Sequence, residues 1–436
     1  MSESIKNQKS ILAKLNITSL NAMQEEAQNA IHSNAEVVLC SPTGTGKTLA
    51  FLLPVIAELK NGIDEIQALI ITPSRELAIQ IEQVAREMGT GYKINLAYGG
   101  RSFSKDVQNM KQRPAILIGT PGRVADHLRR QSFSVDEIRF LVLDEFDKSL
   151  EIGFMDEMNE IIEFLPHLQK KILTSATHKI KIPAFVGLKD PMYLEYTREK
   201  SDHLTIKTVV SPSKDKLNTL VELLRHIGPE PGIIFCNYKA SIQRISEFLS
   251  EHNIDHGCFF GGLDQKERER TLIKFRNGTH RIIVATDLAA RGLDVPEIKF
   301  IIHYHLPLKD HEFIHRNGRT ARMLQSGTAY VIRWEEEELP DFIPISDTEV
   351  LQPKAFDGNT QWKTIFISGG RKDKISKGDI VGLFMKQGHL NRGDLGVIEL
   401  KQDCAFAAVS ASMAQDLVDL LNNYRLKKKK IRLSVI

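Results

Sequence analysis

The chain is 436 residues long, 42% hydrophobic and 26% charged, which excludes both a single small core and a disordered polymer. Its formal charge of +3 hides an asymmetry: residues 361–436 carry 14 Lys+Arg against 7 Asp+Glu, and the remainder carries 44 against 48. A basic terminal segment on a slightly acidic body suggests a module for a polyanion. No apolar run reaches the length of a membrane span, and the first nine residues lack the apolar stretch of a signal peptide. The expectation is a cytoplasmic protein with no membrane partner. Cys40, Cys236, Cys258 and Cys404 stand apart from one another and read as reduced thiols rather than a zinc site or disulfides.

Taken in order, residues 10–35 read as helix, broken near 16–21. Val37-Val38-Leu39-Cys40 then reads as a buried strand, Ser41 to Thr48 as a short loop, and 49–59 as a helix. This is the strand–loop–helix of a P-loop. Gly44 and Gly46 let the backbone curl so that its N–H groups face inward as an anion nest, with Ser41, Thr43 and Thr45 around it. The helix N-terminus adds partial positive charge where a phosphate would sit. Lys47 reaches toward the outer phosphates and the Thr48 hydroxyl suits Mg2+. The strict pattern G-x-x-x-x-G-K-[ST] has Gly where Ser41 stands.

Strands are predicted at 68–72, 115–119, 140–144 and 171–175, with helices at 75–88, 124–130 and 154–165. That alternation implies a mainly parallel sheet with helices on both faces. The polar stretch 197–215 interrupts the rhythm and reads as a linker, placed at 201–213. The rhythm restarts with helices at 217–227, 241–251 and 264–275 and strands at 232–236, 282–285 and 300–303, without a second Gly-Lys-Thr. Glu335 to Glu338 and the prolines at 340, 344 and 353 read as a helix end and connector. From Trp362 a third unit runs strand 364–368, helix 377–385, strands 396–400 and 404–409, helix 411–421 and strand 430–435. Its β-α-β-β-α-β order is the ferredoxin-like or RRM arrangement. The domain expectation is thus 1–200, a linker at 201–213, 214–349, a second linker at 350–360, and 361–436.

A phosphate loop needs a carboxylate partner. Asp144 ends the apolar run Leu141-Val142-Leu143, where strand ends in a parallel sheet face the crevice. Asp144 suits Mg2+, and Glu145 suits polarising an attacking water. Transferring phosphoryl groups also need positive charge, which the run His315-Arg316-Asn317-Gly318-Arg319-Thr320-Ala321-Arg322 offers in a domain lacking its own phosphate loop. An arginine finger is worth about 10³–10⁵ in rate. On a separate domain it would make hydrolysis depend on closure.

With these residues the chain resembles the DEAD-box RNA helicases over about residues 12–436. Gln24 matches the Q motif, Ser41 to Thr48 motif I, Thr72-Pro73-Ser74-Arg75-Glu76-Leu77-Ala78 motif Ia, and Gly99-Gly100 the glycine pair. Thr120-Pro121-Gly122-Arg123 matches motif Ib, Asp144-Glu145-Phe146-Asp147 motif II, and Ser175-Ala176-Thr177 motif III. Ile234-Phe235-Cys236-Asn237 resembles motif IV, Gln265-Lys266-Glu267-Arg268 the Q-x-x-R element, Ala285 to Asp294 motif V, and His315 to Arg322 motif VI. Phe146 stands where the family name has Ala. Asn7 stands where an aromatic usually precedes the Q-motif glutamine, Ser74 replaces Thr, and Ala321 replaces Gly.

The resemblance implies an α/β fold of two tandem RecA-like parallel-sheet domains plus a C-terminal α+β RRM-like domain. It implies ATP as ligand, with Gln24 reading adenine, Asp287 contacting the ribose, and Arg319 and Arg322 meeting the γ-phosphate. Arg75, Gly99, Gly100, Thr120, Gly122 and Arg123 would grip the RNA backbone from the first domain, and Arg268 and Thr286 from the second. Such contacts bind phosphate without reading sequence.

The third unit resembles the RNA-binding domain of the bacterial DbpA-type helicases, through Thr364 to Ile375, Lys377 to Ile380, Gly393 to Ile398 and Lys427 to Leu433. That likeness implies large-subunit ribosomal RNA as partner. Arg371, Lys372 and Lys374 form one basic cluster and Lys427 to Lys430 another. Phe366 and Phe406 fall on the strands that in RRM folds carry stacking aromatics, although alternating Phe is more often core. The expected function is an ATP-dependent RNA helicase that remodels structured RNA locally during ribosome assembly. The rivals are an RNA clamp or annealing chaperone with weak ATPase, and a DNA helicase. Nothing in the sequence names protein partners.

Overall fold

The computed structural model describes the chain apart from residues 1–6, 43, 101, 178–180, 197–203, 288–297, 321–325, 345 and 353–359. Contacts divide it into two units, one running to Ser201 and one beginning at Asp202. The first unit holds strands β1 (Glu36–Cys40), β2 (Ala68–Ile71), β3 (Ile94–Ala97), β4 (Ile116–Gly119), β5 (Phe140–Leu143), β6 (Lys170–Ser175) and β7 (Met192–Glu195). They form one sheet in the order β3-β4-β2-β5-β6-β1-β7, with every neighbouring pair parallel.

The unbroken apolar runs of β1, β2 and β5 follow from burial on both faces. Val37, Leu39 and Ile70 join one core with the helix Lys47–Glu58, while Val38, Leu69, Leu117 and Leu143 join a second core on the opposite face. The predicted break near 16–21 separates helices Gln8–Lys14 and Ala22–Ser33. Asn16 is left-handed there (φ 56°) and Asn21 caps the second helix. The single helix expected over 154–165 is preceded by another, Phe146–Ile152, which ends at left-handed Gly153 (φ 91°) before Met155–Glu163 begins.

The second unit opens with a correction. The stretch expected as a linker, 201–213, contains strand β8 (Leu204–Ser211). It is followed by β9 (Gly232–Cys236), β10 (His256–Phe259), β11 (Ile282–Thr286), β12 (Phe300–His303) and β13 (Gly327–Trp334), in the sheet order β10-β11-β9-β12-β13-β8, all parallel. β8 pairs with β13 along its full length, from Leu204 opposite Gly327 to Ser211 opposite Trp334. As an edge strand it has on its other side, among the described residues, an isolated bridge of Thr208 with Thr348 in place of a full strand, so its sequence carries the polarity of a linker.

The same unit contains β14 (Trp362–Ile367), β15 (Leu395–Leu400), β16 (Ala405–Ser410), β17 (Arg425–Leu426), β18 (Lys429–Lys430) and β19 (Leu433–Val435). Four of these make an antiparallel sheet, β15-β16-β14-β19, and β17 and β18 make a separate hairpin. Helices Lys377–Lys386 and Ala414–Leu421 supply the rest of its core. The last strand, expected at 430–435, is therefore two elements: a hairpin turning at left-handed Lys427 (φ 55°), then β19.

Candidate nucleotide and nucleic-acid site

In the first unit the functional side chains gather along the edge where the parallel strands end, as open α/β sheets arrange their sites. After β1 the chain turns through Gly44 (φ 84°) and Gly46 (φ 88°), conformations that favour glycine. Lys47, the first residue of its helix, is buried, and its Nζ donates to the carbonyls of Ser41 at 2.5 Å and Pro42 at 2.9 Å. The Ser41 and Thr45 hydroxyls meet at 2.8 Å, and Thr45 Oγ1 donates to the Pro42 carbonyl at 2.9 Å. The loop is thus closed on its own lysine, with Thr48 in the next helical position. Thr43 lies outside the described residues.

Asp144 and Glu145 follow β5 and are buried beside this loop's strand, one strand removed. Burial first, and then the neighbouring Glu145, push the Asp144 carboxyl up to about 6; the Thr174 hydroxyl and Lys47 oppose that shift. Glu145 is left-handed (φ 47°, ψ 49°) and its amide donates to Thr174 Oγ1 at 3.1 Å, while the same hydroxyl donates to Asp144 Oδ1. Thr174 was missed in the sequence; its only signal is that it precedes Ser175-Ala176-Thr177. Asp147 Oδ2 accepts from Thr177 Oγ1 at 3.0 Å, so motifs II and III are joined directly. Phe146 leaves that bond alone: its ring is buried in the core, beside a small cavity lined by Val38, Cys40 and Leu173.

Gln24 reaches the loop from the helix Ala22–Ser33. Its Oε1 accepts the Asn21 amide at 3.0 Å and its Nε2 donates to the Gly46 carbonyl at 3.2 Å. Asn21 Nδ2 adds a bond to the Thr45 carbonyl at 3.1 Å. A carboxamide has two acceptor sites and two donors, so these bonds use one of each and leave one of each for a base edge. Asn7 has a structural use instead of an aromatic one: its Oδ1 accepts from the Ser10 amide at 3.2 Å and caps Gln8–Lys14.

The residues expected to grip an RNA backbone lie along the other half of the same edge, at the ends of β2, β3 and β4. The Arg75 guanidinium covers Gly99 and Gly100; a Cβ at Gly99 would stand 3.2 Å from Arg75 Nη2. Thr120 is the N-cap of the helix Pro121–Arg129, and a Cβ added at Gly122 would come no nearer than 4.0 Å to another side chain, that of Glu157 at Oε1. Arg123 is forked onto buried Asp106, Nε and Nη2 reaching Oδ2 at 2.9 and 2.8 Å. Burial raises the Asp106 carboxyl, but His127 and then Arg123 hold it below the ordinary aspartate value.

In the second unit Asp287, just past β11 and Thr286, is gripped by Arg316: Nε to Oδ1 and Nη2 to Oδ2, both 2.6 Å. Arg316 is fully buried and also donates to Asn237 Oδ1 at 2.8 Å and the His305 carbonyl at 2.7 Å. It ties motifs IV, V and VI together, a role not read from the sequence, where Arg319 and Arg322 drew the attention. Arg319 is buried three residues on; Arg322 lies outside the described residues. Arg268 is buried with its guanidinium 5.0 Å from the Phe259 ring centroid. In the C-terminal domain Arg371, Lys372 and Lys374 are exposed on a 3-10 turn, Arg371–Asp373, and its edge. The second basic cluster is partly neutralised: Lys429 pairs with Asp373 at 3.0 Å and Lys427 with Asp379 at 2.9 Å. No helix among the described residues is long and apolar enough to cross a membrane.

Comparison with known proteins agrees with this arrangement. The DEAD/DEAH box helicase model matches residues 21–184, the helicase conserved C-terminal domain 215–324, and the DbpA RNA binding domain 364–435. The ATP-dependent RNA helicase DbpA of Escherichia coli is 30% identical, covering 98% of this chain and 96% of its own. DbpA of Bacillus subtilis is 29% identical over 97% and 96%. Among solved structures, Dbp5 of S. cerevisiae bound to RNA and ADP BeF3 matches with a TM-score of 0.68 at 26% identity, over 77% of this chain and 89% of that one. Mss116p bound to ssRNA and AMP-PNP matches with 0.68 at 25% identity, over 77% and 74%.

Proposed function

This chain belongs to the DEAD/DEAH box helicases of DbpA type, and on that premise we propose that it is an RNA-dependent ATPase that locally unwinds or remodels structured RNA. The observation that carries the reading is the shared sheet edge of the first unit. One half gathers Gln24, Lys47, Asp144 and Glu145, and the other gathers Arg75, Gly99, Gly100, Thr120, Gly122 and Arg123. An ATP-type and an RNA-type cluster on one rigid edge are placed to sense each other.

In this reading the P-loop amides and Lys47 hold the phosphates, and Gln24 offers its remaining donor and acceptor to adenine. Glu145, fixed by its strained backbone and its bond to Thr174, orients the attacking water and takes its proton. The residues suit Mg2+: two buried carboxylates lie side by side, one of them held up toward 6, and a divalent cation relieves that repulsion. Asp144 and the Thr48 hydroxyl would hold the ion, which would neutralise phosphate charge. By the resemblance of their motifs to those of the family, Asp287 would contact the ribose and Arg319 and Arg322 the γ-phosphate. The C-terminal domain, by its likeness to DbpA, directs the chain to large-subunit ribosomal RNA in ribosome assembly, in the cytoplasm.

The test is steady-state ATPase of the full chain without RNA, with unstructured RNA, and with large-subunit ribosomal RNA, beside a Lys47→Ala control. Selective stimulation by ribosomal RNA is expected. Equal stimulation by any RNA removes the specificity, and RNA binding without turnover favours a clamp.

A further inference from the structure

The C-terminal sheet is buried over its inner face, and a strip of the outer face, turned away from the domain's own helices, is buried as well. Ile365 and Ile367 of β14 join Ala405, Ala407 and Val409 of β16 in the core under those helices. Alternate residues point the other way. The register sets Thr364 opposite Ala408 and Phe366 opposite Phe406, and sets Glu399 of β15 opposite Phe406 as well. On this outer face Thr364 is 0% exposed, Ala408 1% and Phe406 4%.

The cover is the helix Gln265–Arg276 of the preceding parallel-sheet domain, with the turn after it. Arg276 forks onto Glu399, Nε to Oε1 at 2.6 Å and Nη2 to Oε2 at 2.8 Å. Glu269, two helical turns earlier and so on the same side, pairs with Lys401 at 2.8 Å. The Thr279 and Thr364 hydroxyls meet at 2.7 Å. The Trp362 ring lies on Gly278, where a Cβ would stand 3.3 Å from Cδ1. The two ion pairs run in opposite senses, cation on the helix in one and on the sheet in the other. A reversed or slipped docking would set like charges together.

We propose that this sheet face is a dock onto the second parallel-sheet domain and not a platform for bases, which leaves RNA to the exposed rim of Arg371, Lys372 and Lys374. The proposal rests on the reading that this domain holds RNA. Base stacking needs an open ring face. Phe406 is buried and Phe366 half-buried, and the two rings stand edge-on to each other at 5.6 Å. The docking helix also carries Arg268, eight residues before Arg276, a rise of about 12 Å. RNA on the rim is therefore held in fixed register with the second domain instead of swinging on a linker.

Two measurements on the full chain decide this. The chain has two tryptophans, Trp334 and Trp362. In a Trp334→Phe background, Arg276→Glu should shift Trp362 emission to the red and raise its quenching by acrylamide, and adding Glu399→Arg should reverse both. Unchanged emission and quenching in Arg276→Glu overturns the dock. Separately, large-subunit ribosomal RNA substituted with 4-thiouridine is photo-cross-linked and the peptides mapped. Cross-links within 371–374, and none at Phe366 or Phe406, are expected; a cross-link to either ring overturns the proposal. Bound RNA with no cross-link anywhere in 361–436 removes RNA from this domain and sinks the rim assignment, while the tryptophan readout still decides the dock.

Discussion

The Thr174 hydroxyl donates to Asp144 Oδ1 and accepts the Glu145 amide, so one side chain on β6 fixes both carboxylates that follow β5. Its removal leaves a buried carboxylate and a buried amide each short of a bond. Hydrogen bonds to charged groups are worth about 1.5–3 kcal/mol, so Thr174→Val should lower ATPase kcat by about 10–100-fold. Thr174→Ser, which keeps the hydroxyl, should recover most of it. Steady-state kinetics of the pair checks this; equal losses in both variants would point to packing instead.

The Asp144 carboxyl also makes a prediction about pH. Its folded value of about 6 lies above the ordinary 3.8, so the folded state favours the protonated form. That preference is fully present below about pH 4 and is lost as pH rises through 6. The shift corresponds to about 2–3 kcal/mol. Without nucleotide or Mg2+, Asp144→Asn should therefore raise Tm at pH 8 and change it little at pH 4. Thermal melts at both values test it; an equal gain at both would remove the titration as its cause.

How much of this was readable in advance depends on what each residue's signal is. The P-loop and the acidic strand end carry theirs locally, as glycines at fixed offsets and a charge after an apolar run, and the strands β1, β2 and β5 show their double burial as unbroken hydrophobicity. Thr174 and Arg316 have no such mark. Each acts through a partner far along the chain, 30 residues for Thr174 to Asp144 and 79 for Arg316 to Asn237, and a lone Thr or Arg has nothing to show it. β8 was misread because an edge strand is half polar for the same physical reason that a linker is. On the outer face of the C-terminal sheet, Phe366 and Phe406 carry a signal that fits core as well as a stacking platform, and the contacts beside them, Arg276 on Glu399 and Thr279 on Thr364, join residues 123 and 85 apart in the chain.

Gly100 tests the RNA half of the edge. It is left-handed (φ 86°), and a Cβ there would run into Arg75 Nη1. An L-residue in that conformation costs about 1–2 kcal/mol, and the guanidinium must also move. Gly100→Ala should raise the RNA concentration for half-maximal ATPase by about 10-fold while KM for ATP moves much less. RNA titrations at saturating ATP, and ATP titrations at saturating RNA, separate the two; a change confined to ATP would remove Gly100 from the RNA contact.

Arg316 and Asp287 form the buried counterpart in the second unit, with Arg316 on two carboxylate oxygens, Asn237 and a carbonyl at once. Removing one partner of such a pair costs about 3–5 kcal/mol, because a charge is left in low dielectric, whereas an apolar replacement of both is often tolerated. Asp287 is 21% exposed at its side chain, so the lower end of that range applies. Arg316→Met should thus destabilise the second unit, seen as faster amide exchange in β9 and β11, which Asn237 and Asp287 follow directly. Arg316→Met with Asp287→Leu should recover much of the protection yet leave the ATPase low, since Asp287 is still gone. Recovery of both stability and turnover in the double variant would show the pair to be structural only; recovery of stability alone assigns Asp287 to the nucleotide.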